Sequence, residues 1–394
     1  MRRRRFLAGM TALLGLPALA GPARRASRPG DLTLFLAGDV MLGRGIDQIL
    51  PHSVDPRLHE RYVRSAARYV ELAEAESGEI PDEVRFDYVW GDALAELGRV
   101  SPDARIINLE TAVTTSDAPW PGKGIHYRMH PGNVPVLTAA GIDVCVLGNN
   151  HVMDWGRPGL VETLGSLRGR DLRTAGAGID AADARRPAVV ETAAGRVRVH
   201  SYGLPGAGVP RAWEATATEP GVNLLSEPGA AEAERVITEV EAHRRPGDRV
   251  VVSIHWGPNW GYAVPDAHRR FAHRLIDSGA VDAIHGHSSH HPKRIEVHRG
   301  RPILYGAGDL LNDYEGIGGR GEYRGDLTLV YFPTLGPTGE LGALRMTPMR
   351  VRRFRLERAT AMETAWLAET LDRHSRPLGV RVERADDGLV ARWG

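Results

Sequence analysis

The sequence predicts an α/β protein, a buried sheet layered with helices, and three features carry that prediction. Short apolar runs of strand length recur along the 394 residues, separated by stretches whose apolar residues return at helical spacing. Each run stops at a glycine or a polar break. The residues at each break can bind a metal ion or carry a proton. Open α/β sheets place their ligands outside the carboxyl ends of the strands, so the repetition predicts one site assembled from distant segments.

The elements follow in order. Residues 33–37 form the first apolar run and lead to Gly38-Asp39. Residues 51–86 interrupt the pattern as an insertion, with a helix expected over 62–74. A helical pattern at 90–97 precedes the run 105–107, which leads to Asn108-Leu109-Glu110. The run 144–147 leads to Gly148-Asn149-Asn150-His151 and a helix at 159–168. After a helix at 231–244, the run 250–254 leads to His255-Trp256-Gly257. A helix at 268–277 precedes the run 281–284, which releases His285, His287, His290 and His291. The run 303–305 leads to Gly306-Ala307-Gly308-Asp309. Residues 326–394 read differently, with strands at 327–332 and 350–356, a helix at 360–371 and a final hairpin. They are taken as an appended α+β element, after a main domain over 31–325.

The first thirty residues read as a leader and linker. Arg2 to Arg5 form a basic start, residues 6–20 an apolar core, and Ala18-Leu19-Ala20 a cleavage site. That core is short for a membrane span. Arg3-Arg4-Arg5-Phe6-Leu7 fits the twin-arginine pattern, a route that exports folded proteins. The expectation is a protein of the periplasm or the exterior, associated with the envelope if the leader stays as an anchor.

Composition narrows the function classes. Hydrophobic residues at 42% and charged residues at 25% are those of an ordinary globular chain. Loss of the four arginines Arg2–Arg5 takes the formal charge from +1 to −3, which argues against nucleic acid as a partner. Cys145 is the single cysteine and sits in an apolar run, so it is read as a buried structural thiol.

Asp39, Glu110, Asn150, His151, His255, His287 and His290 make a mixed set of oxygen and nitrogen donors. Carboxylate, carboxamide and imidazole together suit Mn²⁺, Fe or Zn²⁺, whereas oxygen alone would suggest Mg²⁺ or Ca²⁺. One or two ions are expected; Asp39 or Glu110 can bridge a pair, which polarises a phosphoryl or acyl oxygen. His151 follows Asn150 directly, so the amide can ligate while the imidazole acts as general acid. Lys123 and Arg128 in the loop 119–131, with Trp256 after the fourth run, are the substrate-facing candidates for an anionic ligand.

In this order the blocks Gly38-Asp39-Val40-Met41-Leu42-Gly43, Asn108-Leu109-Glu110, Asn149-Asn150-His151 with Asp154-Trp155-Gly156, His255-Trp256-Gly257 and Gly286-His287-Ser288-Ser289-His290 resemble the CapA family. These are poly-γ-glutamate capsule synthesis proteins related to the calcineurin-like metallophosphatases. The resemblance implies a four-layer α/β/β/α sandwich with a dinuclear centre at one edge. It places metal ligands at Asp39, Glu110, Asn150, His255, His287 and His290, and the acid at His151. It implies a hydrolase or transferase of capsule or envelope polymer, acting on a phosphoester or γ-glutamyl amide. The alternative is a non-catalytic accessory protein that binds an anionic polymer. Two positions depart from the pattern: Met41 stands where metallophosphatases carry a histidine, and Asp309 where the family often carries asparagine.

Overall fold

The computed structural model describes residues 28–317 and 321–394; the leader and most of the linker lie outside the described residues. Among the described residues, the strands assemble into two large sheets. The first has ten strands centred on Leu32–Val40, which pairs in parallel with Ala104–Leu109 on one side and antiparallel with Leu327–Leu335 on the other. Val144–Val146 and Arg173–Ala175 continue the parallel run. The second has six strands, and its centre is four parallel ones: Gly195–Gly203, Asp248–His255, Ala283–His287 and Arg301–Leu304.

Alternation along the strands explains the layering, because successive side chains leave opposite faces of a sheet. Leu32, Leu34 and Leu36 join Val197, Val199 and Val251 of the second sheet in one core between the sheets. Phe35 and Ala37 face the other way, into a core shared with Leu97 of helix Asp92–Val100 and with Leu160, Leu164 and Leu167 of helix Gly156–Arg168. On the far side, Val250, Val252 and Ile254 pack against Val236 and Val240 of helix Ala230–His243 and Phe271 and Leu275 of helix Asp266–Asp277. Each such leucine or phenylalanine contributes about 1.5–3 kcal/mol by leaving water. The order is therefore helix, sheet, sheet, helix, the four layers that the resemblance implied.

Residues 326–394 supply strands to the first sheet and the helix Ala361–Ser375. A capping box starts that helix: the Glu363 amide donates to the Thr360 hydroxyl at 3.3 Å, and the Thr360 amide donates to the Glu363 carboxylate at 2.7 Å. Leu367 and Leu371 then reach the core between the sheets.

One local reading needs correction, and one pair of strands was missed. The single strand expected at 350–356 is a hairpin between Leu341–Arg352 and Arg355–Arg358. Its turn residues Arg353 and Phe354 have φ of 56° and 54°, the backbone of a tight two-residue turn, and burial of Phe354 offsets that strain. The antiparallel pair Ala188–Thr192 and Gly195–Gly203 was not anticipated. No ligand type follows either strand, so a search keyed on strand-end donors passes over them.

Candidate metal centre

The carboxyl ends of both sets of parallel strands meet at one edge. Asp39 lies beside Asn108 in the first sheet, and His255 lies beside His287 in the second. The approach of Asp39 to the last block depends on two glycines. A Cβ on Gly38 would stand 1.9 Å from the carbonyl oxygen of Gly308, and Gly308 itself has φ +81°. With neither side chain present, the Asp39 amide donates to Gly308 O at 3.1 Å, and Asp39 aligns in parallel register with Asp309.

An amide relay fixes the carboxylates. Asn108 Nδ2 donates to Asp39 Oδ1 at 2.7 Å and to Glu110 Oε2 at 2.8 Å. Asn149 Nδ2 donates in turn to Asn108 Oδ1 at 2.9 Å, while Asn149 Oδ1 accepts the amides of His151 and Val152, both at 3.0 Å. Asn149 is thus spent on the backbone. Asn150 is not: its buried Oδ1 has no hydrogen-bond partner among the described residues. A buried carbonyl oxygen left without a donor is costly, and a cation would satisfy it.

The imidazoles converge on the same place. Nδ1 of His255 and Nδ1 of His287 are 2.8 Å apart, and His255 Nδ1 lies 3.8 Å from Glu110 Oε2. Donor atoms of Asp39, His255 and His287 all fall within 4.8 Å of one another. His287 Nε2 and His285 Nδ1 both contact the Ser253 hydroxyl, at 3.0 and 3.1 Å, which leaves His285 beneath the cluster. His291 is buried with its Nε2 accepting from the Gly261 amide at 3.1 Å. His290 contacts Asp309 through Nδ1, at 2.9 and 3.1 Å.

Electrostatics follow from this crowding. Burial, then the charge of Asp309, raises the Asp39 carboxyl to about 7. Burial, then the charge of Asp39, raises Glu110 well above the usual range. Burial holds His255 and His287 well below the usual imidazole range, reinforced by neighbouring imidazoles. Neutral imidazoles and carboxyls held together against their own repulsion form a donor set that a divalent cation fits. Ser288, at φ 95°, adds a strained non-glycine residue whose amide donates to Asp39 Oδ2 at 3.2 Å.

His151 sits at the rim of the cluster in a dyad. Its Nδ1 lies 2.6 Å from Asp154 Oδ2, which also accepts the Tyr127 amide at 2.7 Å. Nε2 is 3.9 Å from Glu110 Oε1. Burial lowers the imidazole to about 4, and the charge of Asp154 opposes that. The ring is therefore neutral at pH 7, with its proton on the Asp154 side and Nε2 bare toward the site. From sequence Asp154 stood only within the block Asp154-Trp155-Gly156, with no role assigned, although its place three residues after His151 was the available signal.

A cavity of about 1090 Å³ opens over the centre, with Glu110, Asn150, His151, His255 and His290 in its wall. Its outer wall draws on the insertion through Tyr69 and on the tail through Arg350. Lys123 also lines it, but its ammonium is held 2.5 Å from Asp154 Oδ1 and bonded to the Asn150 carbonyl. Arg128 and Trp256 are placed elsewhere. Arg128 is 2.6 Å from Asp117 with its guanidinium 3.8 Å over the Trp155 ring, and Trp256 is buried with its Nε1 donating to Tyr305 O at 3.0 Å. Side chains that point into the core cannot meet a ligand in the cavity.

A four-layer sandwich whose facing strand ends gather imidazoles and carboxylates under one cavity defines the class: an α/β/β/α protein with a candidate metal centre. The family described as bacterial capsule synthesis protein PGA_cap matches residues 33–314, and the chain belongs to that family. A probable polyglutamine synthesis accessory protein of Mycobacterium tuberculosis (strain ATCC 25618 / H37Rv) is 48% identical over 368 residues, 93% of this chain and 97% of that protein. The PGA biosynthesis protein CapA of Bacillus subtilis (strain 168) is 28% identical over 283 residues, 72% of this chain and 63% of that protein. Among solved structures, a 5′-nucleotidase precursor from Thermus thermophilus aligns with TM-score 0.44 and 15% identity, over 88% of this chain and 59% of that one.

Proposed function

We propose that this protein is an exported, metal-dependent hydrolase or transferase of capsule or envelope polymer, acting on a phosphoester or a γ-glutamyl amide. The observation that carries the reading is the gathering of two imidazoles 2.8 Å apart with two carboxyls held by one amide, under a cavity whose wall includes Glu110, His255 and Asn150, whose buried Oδ1 has no hydrogen-bond partner among the described residues. Asp39, Glu110, Asn150, His255, His287 and His290 would hold one or two ions of Mn, Fe or Zn. A divalent ion there supplies Lewis-acid polarisation and an activated water at neutral pH.

The remaining work falls to the chain's own residues. Asp154 fixes the His151 ring with Nε2 toward the site and stabilises the imidazolium. An anionic group entering the cavity raises the proton affinity of Nε2, so the proton is in place only when substrate is bound. The cavity volume exceeds that of an ordinary small-ligand site, which suits a segment of polymer. Export by the twin-arginine route rests on the leader. No helix among the described residues is long and apolar enough to cross a membrane.

The test is to load the purified chain with Mn²⁺ and assay phosphomonoesters, phosphodiesters and γ-glutamyl amides beside elemental analysis. Turnover with bound metal, lost in His151→Ala, supports the reading; neither turnover nor metal sinks it. A second reading rests on the word accessory in the description of the Mycobacterium relative: the protein would bind an anionic polymer during assembly without chemistry. His151→Ala would then keep full function in a capsule-forming host.

A further inference from the structure

We propose that Tyr314 is a substrate-binding residue whose hydroxyl donates to a charged oxygen, phosphoryl or carboxylate, of the molecule in the cavity. The inference rests on the reading of the centre as a hydrolase site. It adds to that reading a residue that selects an oxyanion over a neutral amide.

The cations beside the centre are committed elsewhere. Lys123 and Arg44, whose charges reach His151, both face buried carboxylates. Lys123 is 2.5 Å from Asp154, and Arg44 is paired with Asp313 and lies 3.0 Å from Glu60. A cation held against a carboxylate presents little net charge to an incoming anion. Neutral donors must then supply the contact.

Most hydroxyls of the cavity wall are committed as well. Tyr69 Oη donates to Glu60 at 2.5 Å, Ser77 Oγ to Glu315 at 2.7 Å, and Ser288 Oγ to the Gly257 carbonyl at 3.2 Å. Each of these protons rests on an oxygen. Tyr314 Oη instead donates to the Met41 sulfur at 3.6 Å, and a thioether is a weak acceptor. Tyr127 Oη lies 2.9 Å from Tyr314 Oη; with the Tyr314 proton on sulfur, Tyr127 is the donor of that bond. A hydroxyl that accepts one hydrogen bond donates more strongly to the next. Tyr314 thus combines a strengthened donor with a weak acceptor.

Its place suits a ligand in the cavity. The Tyr127 ring stands edge-on 4.5 Å from His151, and the Tyr314 ring edge-on 5.5 Å from His290. The bonded pair therefore spans the distance from the proton carrier to the metal ligands. A charged oxygen arriving there takes the proton from sulfur, because a hydrogen bond to an ionised acceptor is roughly twice as strong as a neutral one. The carbonyl of an amide carries no such charge and gains less from the exchange.

The experiment titrates the Mn²⁺-loaded full chain with inorganic phosphate and with acetate by calorimetry, and measures bound Mn²⁺ on the same samples. Tyr314→Phe keeps the ring and should keep its Mn²⁺, while binding the preferred anion about tenfold more weakly than wild type. The anion with the larger loss assigns the group as phosphoryl or carboxylate. Met41→Leu frees the hydroxyl and should bind that anion about two- to fivefold more tightly. Unchanged affinity of Tyr314→Phe for both anions, or binding of neither by wild type, overturns the proposal and leaves the hydrolase reading intact as long as Mn²⁺ is bound. Wild type without Mn²⁺ removes both. If Tyr314→Phe fails to fold, Met41→Leu decides, because equal or weaker affinity there contradicts a donor held back on sulfur.

Discussion

Asp154→Asn isolates the support under His151. The Asp154 carboxylate is fully buried and meets three donors: Lys123 Nζ at 2.5 Å, His151 Nδ1 at 2.6 Å and the Tyr127 amide at 2.7 Å. Burial opposes its ionisation, but its interactions with His151 and with the Lys123 ammonium outweigh that and hold it below the usual carboxylate range, so it is charged at pH 7. Asparagine preserves shape but offers only one acceptor oxygen. If that oxygen keeps His151 and Tyr127, the new amide N–H faces the Lys123 ammonium. Removing one partner of a buried ion pair costs about 3–5 kcal/mol. Lys123 retains 15% exposure, which puts the expectation near the lower figure, about 3 kcal/mol. Urea unfolding of the metal-free chain at pH 7 measures the loss. A cycle with Lys123→Met separates the pair from the rest, because Asp154→Asn in that background no longer opposes a charge and should cost at least about 1 kcal/mol less. A cost below about 1 kcal/mol, or additivity of the two changes, would refute the view that Lys123 and Asp154 act as one buried unit.

Further outcomes follow from the same structure. Arg44 is buried, 3.0 Å from Glu60 of the insertion, paired with Asp313, and 3.9 Å over the Tyr69 ring. Arg44→Ala strands two buried carboxylates at a cost of about 3–5 kcal/mol and should make residues 51–86 sensitive to limited proteolysis. Gly38→Ala drives a methyl into the Gly308 carbonyl. It should cost about 1–3 kcal/mol by overpacking and weaken Mn²⁺ binding, measured by calorimetry. The metal-free chain should also lose stability on acidification from pH 7 to 5. His151, His285 and His291 are held near 4 in the fold against 6.5 unfolded, so the unfolded chain takes up protons first and stability falls through that window. Asp39 at about 7, Asp47 at about 6 and Glu110, raised well above the usual range, act in the opposite sense, since their folded forms hold protons that the unfolded chain releases. The buried histidines, with His255 and His287 added, outnumber them. Each net proton contributes about 1.4 kcal/mol per pH unit. Urea midpoints unchanged or rising toward pH 5 would contradict this.

The candidate ligands were legible because each one stands at or a few residues beyond the end of an apolar run, and a strand end is a local signal. Asp39, Glu110, Asn150, His255, His287 and His290 come from five such places, and the fold brings them together at one edge. Arg128 and Trp256 were less legible. Proximity in sequence to the site says nothing about which way a side chain turns, and both turn inward, Arg128 onto Trp155 and Trp256 onto Tyr305. Asp309 was visible only as an odd residue in a familiar position, since its meaning depends on a strand some 270 positions earlier.

By itself, the sequence determined the alternation of apolar strands and helices, the donor types at the strand ends, and the family to which the chain belongs. Those are local properties of period, turn chemistry and side-chain identity. The tertiary structure alone decided that Asn149 is consumed by the backbone while Asn150 is left open, and that His285 lies beneath the cluster while His287 joins it. It also decided that Asp39 and Asp309 share a register. Each of these depends on how sheets face each other and on the absence of Cβ atoms at Gly38 and Gly308, where two backbones pass too closely for any other residue.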